Sequence, residues 1–168
     1  MIEISAFRAA MARLGAAVNI ITTAGPDGRH GMTASAVCSV SDDPATVLVC
    51  IHRSARMSTL VAGHGRFAVN VLTAAQESAS RAFADRALAT EARFAACGPW
   101  TTVAGDLPAL ETALVVLGCK VESAFEIGTH IVFIGRVEAI RLGEEDAQGL
   151  VYFDRRYHAL ASQAAAPQ

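Results

Sequence analysis

The stretch from His30 to Thr59, HGMTASAVCSVSDDPATVLVCIHRSARMST, decides how the rest of the chain is read. From Gly31 to Ser41 the side chains alternate. Met32, Ala34, Ala36, Cys38 and Val40 fall on one side, and Thr33, Ser35, Val37, Ser39 and Ser41 on the other. A period of two belongs to a strand, here with one apolar and one mostly hydroxyl face. The Asp42-Asp43-Pro44 turn leads into Thr46 to Ile51, a continuous apolar run rich in β-branched residues, which reads as a strand covered on both sides. That strand ends at His52-Arg53-Ser54.

Ser54 to Thr59 then brings cations and hydroxyls to the start of a short helix, Leu60 to Ala62, with Gly63 as its stop. Unpaired N–H groups, the positive end of the helix dipole and nearby arginines together suit a phosphomonoester. Beside them the side chains from Thr33 to Ala36 are small, so a flat ring could reach the backbone and hydrogen-bond to it. A flat ring with a phosphate tail suggests flavin mononucleotide (FMN). Each half has a simpler reading: a solvated hydroxyl face, and helix capping by Arg-Ser-x-Arg. Their pairing across one hairpin favours the ligand.

Working outward, Phe7, Ala10, Met11 and Leu14 recur at helical spacing, with Ser5 as N-cap and Gly15 as stop, and this helix is expected to cover one end of the core. Val18 to Thr23 reads as a strand, and Gly25-Pro26-Asp27-Gly28 as a hairpin turn into the Gly31 to Ser41 strand, making the first three strands consecutive and antiparallel. Beyond the short helix, Phe67 to Leu72 is a fourth strand with Asn70 pointing outward, and Gln76 to Ala89 a helix with Phe83 on its apolar side. Glu91 to Pro108 has mixed signals and reads as a compact loop or short helix. Leu114 to Ala124 and Ile131 to Leu142 form a long hairpin through Phe125 to His130, with Gly128 and Thr129 at its tip, and Leu150 to Phe153 is a last short strand. Many short strands and few helices point to a mainly β, closed antiparallel barrel. A dinucleotide-binding parallel sheet fails on pattern, because strands do not alternate with crossover helices and no GxGxxG follows one.

With 168 residues the chain fits one domain, residues 1–161, followed by a small polar tail, 162–168, expected to be disordered. A formal charge of -2 without a basic run argues against a nucleic-acid surface. With 52% apolar and 18% charged residues, the chain has little polar surface to spare for a monomer, and a homodimer follows. No stretch is long enough to cross a bilayer, the N-terminus lacks a signal-peptide pattern, and a cytoplasmic location is expected. Cys38, Cys50, Cys97 and Cys119 lack CxxC spacing and read as reduced, structural thiols, while the five histidines have no zinc-ligand spacing, so no metal is expected.

The segment TASAVCSVSDDPATVLVCIHRSA, with MARLGAAVNIITT before it and RFAVNVL, GTH and YFDRRYHAL after it, resembles the flavin reductase family. The similarity runs from about Phe7 to Leu160. It implies a homodimeric Greek-key split barrel that binds FMN, with FAD as the alternative flavin, near the dimer interface. It also implies NADH or NADPH as hydride donor and a flavin-dependent monooxygenase as recipient of the reduced flavin. The two cofactors carry that chemistry between them, which agrees with the lack of a nucleophile motif or paired carboxylates.

By resemblance, Thr33, Ala34, Ser35, Ala36 and Val37 would contact the flavin ring and ribityl chain, and Cys50, His52, Arg53, Ser54 and Ser58 the ribityl and phosphate end. Phe83 resembles an aromatic near the flavin, although a helix phenylalanine is more often plain core. His130 would sit beside the nicotinamide; the family usually shows Gly-Asp-His here, and Thr129 replaces the carboxylate. From pattern alone His130 is equally a polar residue at the foot of a hairpin. Tyr157 resembles a C-terminal aromatic near the same cleft, while Arg155 and Arg156 also suit a solvated turn. Two other functions fit the same features: a flavin-dependent reductase of a metal complex such as a cobalt corrinoid, and a non-catalytic flavin- or haem-binding barrel.

Overall fold

The computed structural model describes residues 2–161. The expected disordered tail lies outside the described residues. Helix α1 (Ile4–Ala12) precedes strands β1 (Ala16–Ala17), β2 (Asn19–Gly25), β3 (Gly28–Ala34), β4 (Val37–Asp42) and β5 (Ala45–His52). Helix α2 (Arg56–His64) and strand β6 (Arg66–Val71) follow, then a 3-10 turn (Ala74–Gln76), α3 (Glu77–Ala84) and α4 (Thr90–Ala95). The chain continues through β7 (Trp100–Val103), β8 (Leu107–Leu110), β9 (Val115–Ile127), β10 (His130–Leu142), β11 (Gly149–Phe153) and β12 (Arg156–Leu160). The architecture is mainly β, with four α-helices among the described residues.

Seven strands form one sheet in the order β3-β2-β6-β9-β10-β5-β4, and its described pairings are antiparallel. Two-residue turns make the β2–β3 hairpin at Pro26-Asp27 and the long β9–β10 hairpin at Gly128-Thr129, as the turn chemistry predicts. Small sheets β1-β11-β12 and β7-β8 flank the main one. Strand β6 lies between two cores. Phe67 and Val69 join Ile21, Val49, Ile51 and Phe133 on one face, whereas Ala68 and Leu72 join Ile20, Phe83, Phe94, Leu107 and Val116 on the other.

Burial on both faces of β6 explains why Asn70 does not point outward. It is fully buried; its Nδ2 donates to the Ile20 carbonyl at 3.0 Å and Thr22 Oγ1 at 3.2 Å, and its Oδ1 accepts from the Leu110 amide at 2.8 Å. The Gly31 to Ser41 run is likewise two strands. The chain leaves one sheet edge at Ala34 and joins the opposite edge at Val37, so Val37 packs on the core while Cys38 and Val40 face solvent. The first three predicted strands are therefore not sheet neighbours throughout. In β5, Val47, Val49 and Ile51 are buried but Leu48 and Cys50 only half-buried, so one face is fully covered.

Helix α1 has Glu3 at its N-cap rather than Ser5, ends before Gly15 and buries no side chain, so it does not cover the core. Helix α2 runs through Gly63 and ends at Gly65, whose φ of 66° supplies the left-handed turn that terminates a helix. Helix α3 stops at Ala84, five residues short of Ala89, because the backbone turns extended at Asp85. The mixed segment after it contains α4 and the β7–β8 hairpin, and the short strand at Leu150 is followed by an unpredicted partner, β12. No helix among the described residues is long and apolar enough to cross a membrane.

Candidate functional site

The chain between β3 and β4 is the spine of the site. Ser35 and Ala36 are exposed, Val37 N–H donates to the Ser35 carbonyl at 3.0 Å, and Cys50 N–H donates to the Ala36 carbonyl at 3.0 Å. These bonds fix two residues that belong to no strand, leaving a small-side-chain ledge. Thr33 Oγ1 donates to the Ser80 carbonyl at 2.6 Å, and Ser80 Oγ lies 2.9 Å from Tyr157 Oη, so β3, α3 and β12 are tied by one polar chain. Thr33, Ala34, Ser35 and Tyr157 line a small cavity of about 160 Å³ together with Val18 and Tyr152.

At the far end of β5, His52 Nδ1 accepts from Ser54 N–H at 3.2 Å, with Ser54 Oγ at 2.9 Å. An Nδ1 that accepts from a backbone amide leaves the ring proton on Nε2. His52 stands directly opposite His130 in the β5–β10 register, the two rings meeting edge to face with centroids 5.1 Å apart. Thr129 Oγ1 is 2.9 Å from His130 Nδ1, and Arg53 N–H donates to the Thr129 carbonyl at 2.9 Å. Thus Thr129 holds the imidazole through a hydroxyl, where the resembled family presents a carboxylate. Ser58 is buried, and its hydroxyl lies 2.9 Å from both the Arg53 and Ala55 carbonyls, so its proton is already engaged.

A larger cleft of about 620 Å³ opens between β3, the start of α2 and the α3–α4 connection. Thr33, Ser54 and Phe83 line it, along with residues outside the predicted set, among them His30, Arg56, Met57, Arg86 and Arg93. Phe83 is also core: it is 2% exposed and packs edge to face on Phe94 at 5.0 Å. His30 is buried, with Nδ1 3.0 Å from Thr90 Oγ1, and burial first, then the charges of Arg93 and Arg56, lowers its pKa. Burial also pushes the Cys50 thiol up, which keeps it protonated. Thr33 borders both cavities, and Ser54 borders both the larger cleft and the histidine pair. Through these two residues the small-residue ledge, the larger cleft and the histidine pair adjoin one another.

Some expectations do not meet. Cys38 is exposed rather than part of a covered strand. Arg53 contributes its amide to Thr129, but its side chain is not among those lining the cleft. Arg86 and Arg93 escaped sequence reading because they follow the helix that ends early or sit in the segment of mixed signals. The only available signal was a pair of arginines flanking an otherwise small-residue stretch. A separate cavity of about 570 Å³, lined by Thr73, Glu111, Thr112, Leu142 and Gln148 among others, shares no residue with this site.

The model of the Flavin reductase like domain matches residues 11–161. The FMN reductase (NADH) RutF of Serratia proteamaculans is 46% identical over 162 residues, covering 96% of this chain and 91% of its own. A crystal structure from Haemophilus somnus 129PT, assigned as a flavin reductase, superposes with a TM-score of 0.90 at 42% identity, covering 95% of this chain and all of that one (100%). The styrene monooxygenase flavin reductase of Pseudomonas putida S12 gives a TM-score of 0.80 at 32% identity over 94% of this chain and 99% of that chain. A match of this extent, falling on the β3–β4 ledge, the β5 end and the β10 histidine alike, leads to one statement: the chain belongs to the flavin reductase like domain family.

Proposed function

We propose that the chain is an NADH-dependent FMN reductase that supplies reduced flavin to a partner monooxygenase. The observation that carries this reading is the contiguity of an exposed small-residue ledge, a hydroxyl- and cation-lined cleft, and an imidazole pair at one end of the sheet. Relatives named as NADH-dependent FMN reductases, and a relative named as the reductase of a monooxygenase, support the same donor, acceptor and recipient.

Hydride passes between nicotinamide and flavin, chemistry the two rings supply themselves, so the chain's task is to bind, align and keep out water. In this reading Thr33, Ala34, Ser35, Ala36 and Val37 offer backbone groups to the flavin ring, and Phe83 and Tyr157 flank it. Cys50, His52, Arg53, Ser54 and Ser58 take the ribityl and phosphate end; for Ser58 the available group is an oxygen lone pair, because its proton is engaged. His130 faces the nicotinamide, oriented by Thr129. FAD is the alternative flavin and NADPH the alternative donor.

The reading treats residues 1–161 as one domain, a closed split barrel that works as a homodimer. Closure is supported by connectivity. Six gaps of about 4.8 Å would separate the edge strands of a flat seven-stranded sheet by roughly 29 Å, yet only Ser35 and Ala36 join β3 to β4, and three Cα steps reach about 11 Å. The sheet must therefore curl. Dimerisation is supported by the exposed apolar side chains of Phe7, Met11 and Leu14 on and beside α1 and of Phe125 and Ile127 on the long hairpin.

The test is loss of NADH absorbance with purified chain and added FMN, beside a flavin titration and a light-scattering mass. NADH oxidation that depends on free FMN is the expected result. Flavin binding without turnover would replace the reading with a non-catalytic flavin protein, and a monomeric mass would remove the homodimer.

A further inference from the structure

His52 is the last residue of β5 and His130 the first of β10, and the two stand directly opposite each other in register. Cross-strand partners bring their Cβ atoms to about 4.5–5.5 Å, so both imidazoles share one space at the end of the sheet. They differ in how firmly they are held. The chain turns at once after β5: Ala55 N–H donates to the His52 carbonyl at 2.9 Å, and the same turn aims Ser54 N–H at His52 Nδ1 at 3.2 Å, with Ser54 Oγ 2.9 Å from that nitrogen. Backbone and ring of the half-buried His52 are thereby both fixed. His130 is exposed and follows the Gly128-Thr129 tip. Among the described residues its ring has two partners, Thr129 Oγ1 at 2.9 Å from Nδ1 and the His52 ring at 5.1 Å between centroids, with 70° between the planes. That spacing lies inside the range of about 4.5–7 Å at which aromatic rings attract edge to face. Arg53 N–H, from the turn that tethers His52, donates to the Thr129 carbonyl at 2.9 Å and locks the turn to the hairpin tip.

We infer that His52 is a positioning residue for hydride transfer: its tethered ring is the wall that sets the orientation of His130 toward the nicotinamide. The inference rests on the reductase reading above and changes one assignment within it, since the family likeness alone puts His52 at the ribityl and phosphate end. Two observations favour the nicotinamide side. The ring of His52 meets that of His130 directly, and His52 is not among the residues that line the larger cleft, where Ser54 and Arg56 meet. The bond from Ser54 N–H engages the one lone pair of the neutral ring and leaves the proton on Nε2, so the pair is built for orientation rather than for holding a metal ion. Orientation matters here because the protein's share of the reaction is to align two rings.

The test measures NADH oxidation at saturating FMN, and FMN affinity by fluorescence titration, for the wild-type chain, His52→Asn, His52→Phe, His130→Ala and the double variant His52→Asn/His130→Ala. Circular dichroism melting checks that each variant folds. Asparagine can still accept from Ser54 N–H but has no ring, whereas phenylalanine restores a ring without the acceptor. His52→Asn is expected to raise the KM for NADH about two- to fivefold, the worth of a partly exposed ring pair, with a smaller fall in kcat and FMN affinity within about twofold. His52→Phe should recover part of that loss. In the His130→Ala background His52→Asn should add nothing, because a positioning residue acts only through the residue it positions. An unmoved KM in His52→Asn, or a phenylalanine variant no better than asparagine, overturns the inference. So does a loss of FMN affinity that matches the rise in KM, which returns His52 to the ribityl end. An equal rise in KM after His130 is removed overturns it as well, since His52 would then meet the donor itself. A wild-type chain that does not oxidise NADH with added FMN refutes the reductase reading and this inference with it, before any variant is compared.

Discussion

Replacing Thr129 by Val removes one hydroxyl at nearly constant volume. The structure gives that hydroxyl one side-chain partner, His130 Nδ1 at 2.9 Å, and leaves the backbone bond from Arg53 N–H to the Thr129 carbonyl untouched. Both residues are exposed, so the bond belongs at the middle or lower end of the usual ~0.5–1.5 kcal/mol. About 1 kcal/mol corresponds to roughly fivefold. If His130 meets the nicotinamide, a freely rotating imidazole should raise the KM for NADH by about two- to fivefold. FMN affinity should stay within twofold, and Thr129→Ser should restore the wild-type value. Steady-state NADH oxidation at saturating FMN, paired with a flavin titration, separates the two quantities. A KM that does not move, a parallel loss of FMN affinity, or a Ser variant that behaves like Val would each refute the positioning role.

Asn70→Ala should lower stability by about 3 kcal/mol, since it leaves the buried Leu110 N–H unpaired and removes two further bonds. For a chain of this size that is a melting shift of roughly 6–12 °C, read by calorimetry; a shift of only about a degree would contradict it. Gly31→Ala places a Cβ 2.5 and 2.9 Å from two ring carbons of Phe83, overpacking worth about 1–3 kcal/mol. Adding Phe83→Leu should recover part of that loss. His30 has a folded pKa below its unfolded value near 6.5, so the unfolded chain takes up a proton first as pH falls. Its contribution to stability is complete above about pH 6.5 and is lost on acidification through the folded value. Denaturant unfolding at several pH values should therefore show a shallower acid slope for His30→Asn.

The long β9–β10 hairpin was legible because Gly128-Thr129 separates two long apolar runs. The Pro26-Asp27 turn was legible for a similar local reason. The ledge from Thr33 to Val37 could be singled out as well, since small residues beside a hydroxyl pattern are visible one position at a time. Its form was not. Alternation continues smoothly through Ser35 and Ala36, and nothing local records that the chain there changes from one sheet edge to the other. Asn70 was misread for a related reason. Whether the second face of a strand is covered depends on elements such as β8, which lies far along the chain, and only that packing makes an asparagine a buried cross-link.

By itself the sequence determined what neighbours impose on one another: strand periodicity, turn chemistry, the hydroxyl-bearing ledge, and the family likeness carried by Thr33 to Ala55. Tertiary structure alone decided which distant residues meet. It set His52 against His130 through the β5–β10 register, moved Arg86 and Arg93 to the mouth of the cleft by ending α3 early, and buried His30 among them. The physical reason is range. Backbone preferences act over a few residues, whereas charge fields, burial and ring contacts are sums over whatever the fold brings together.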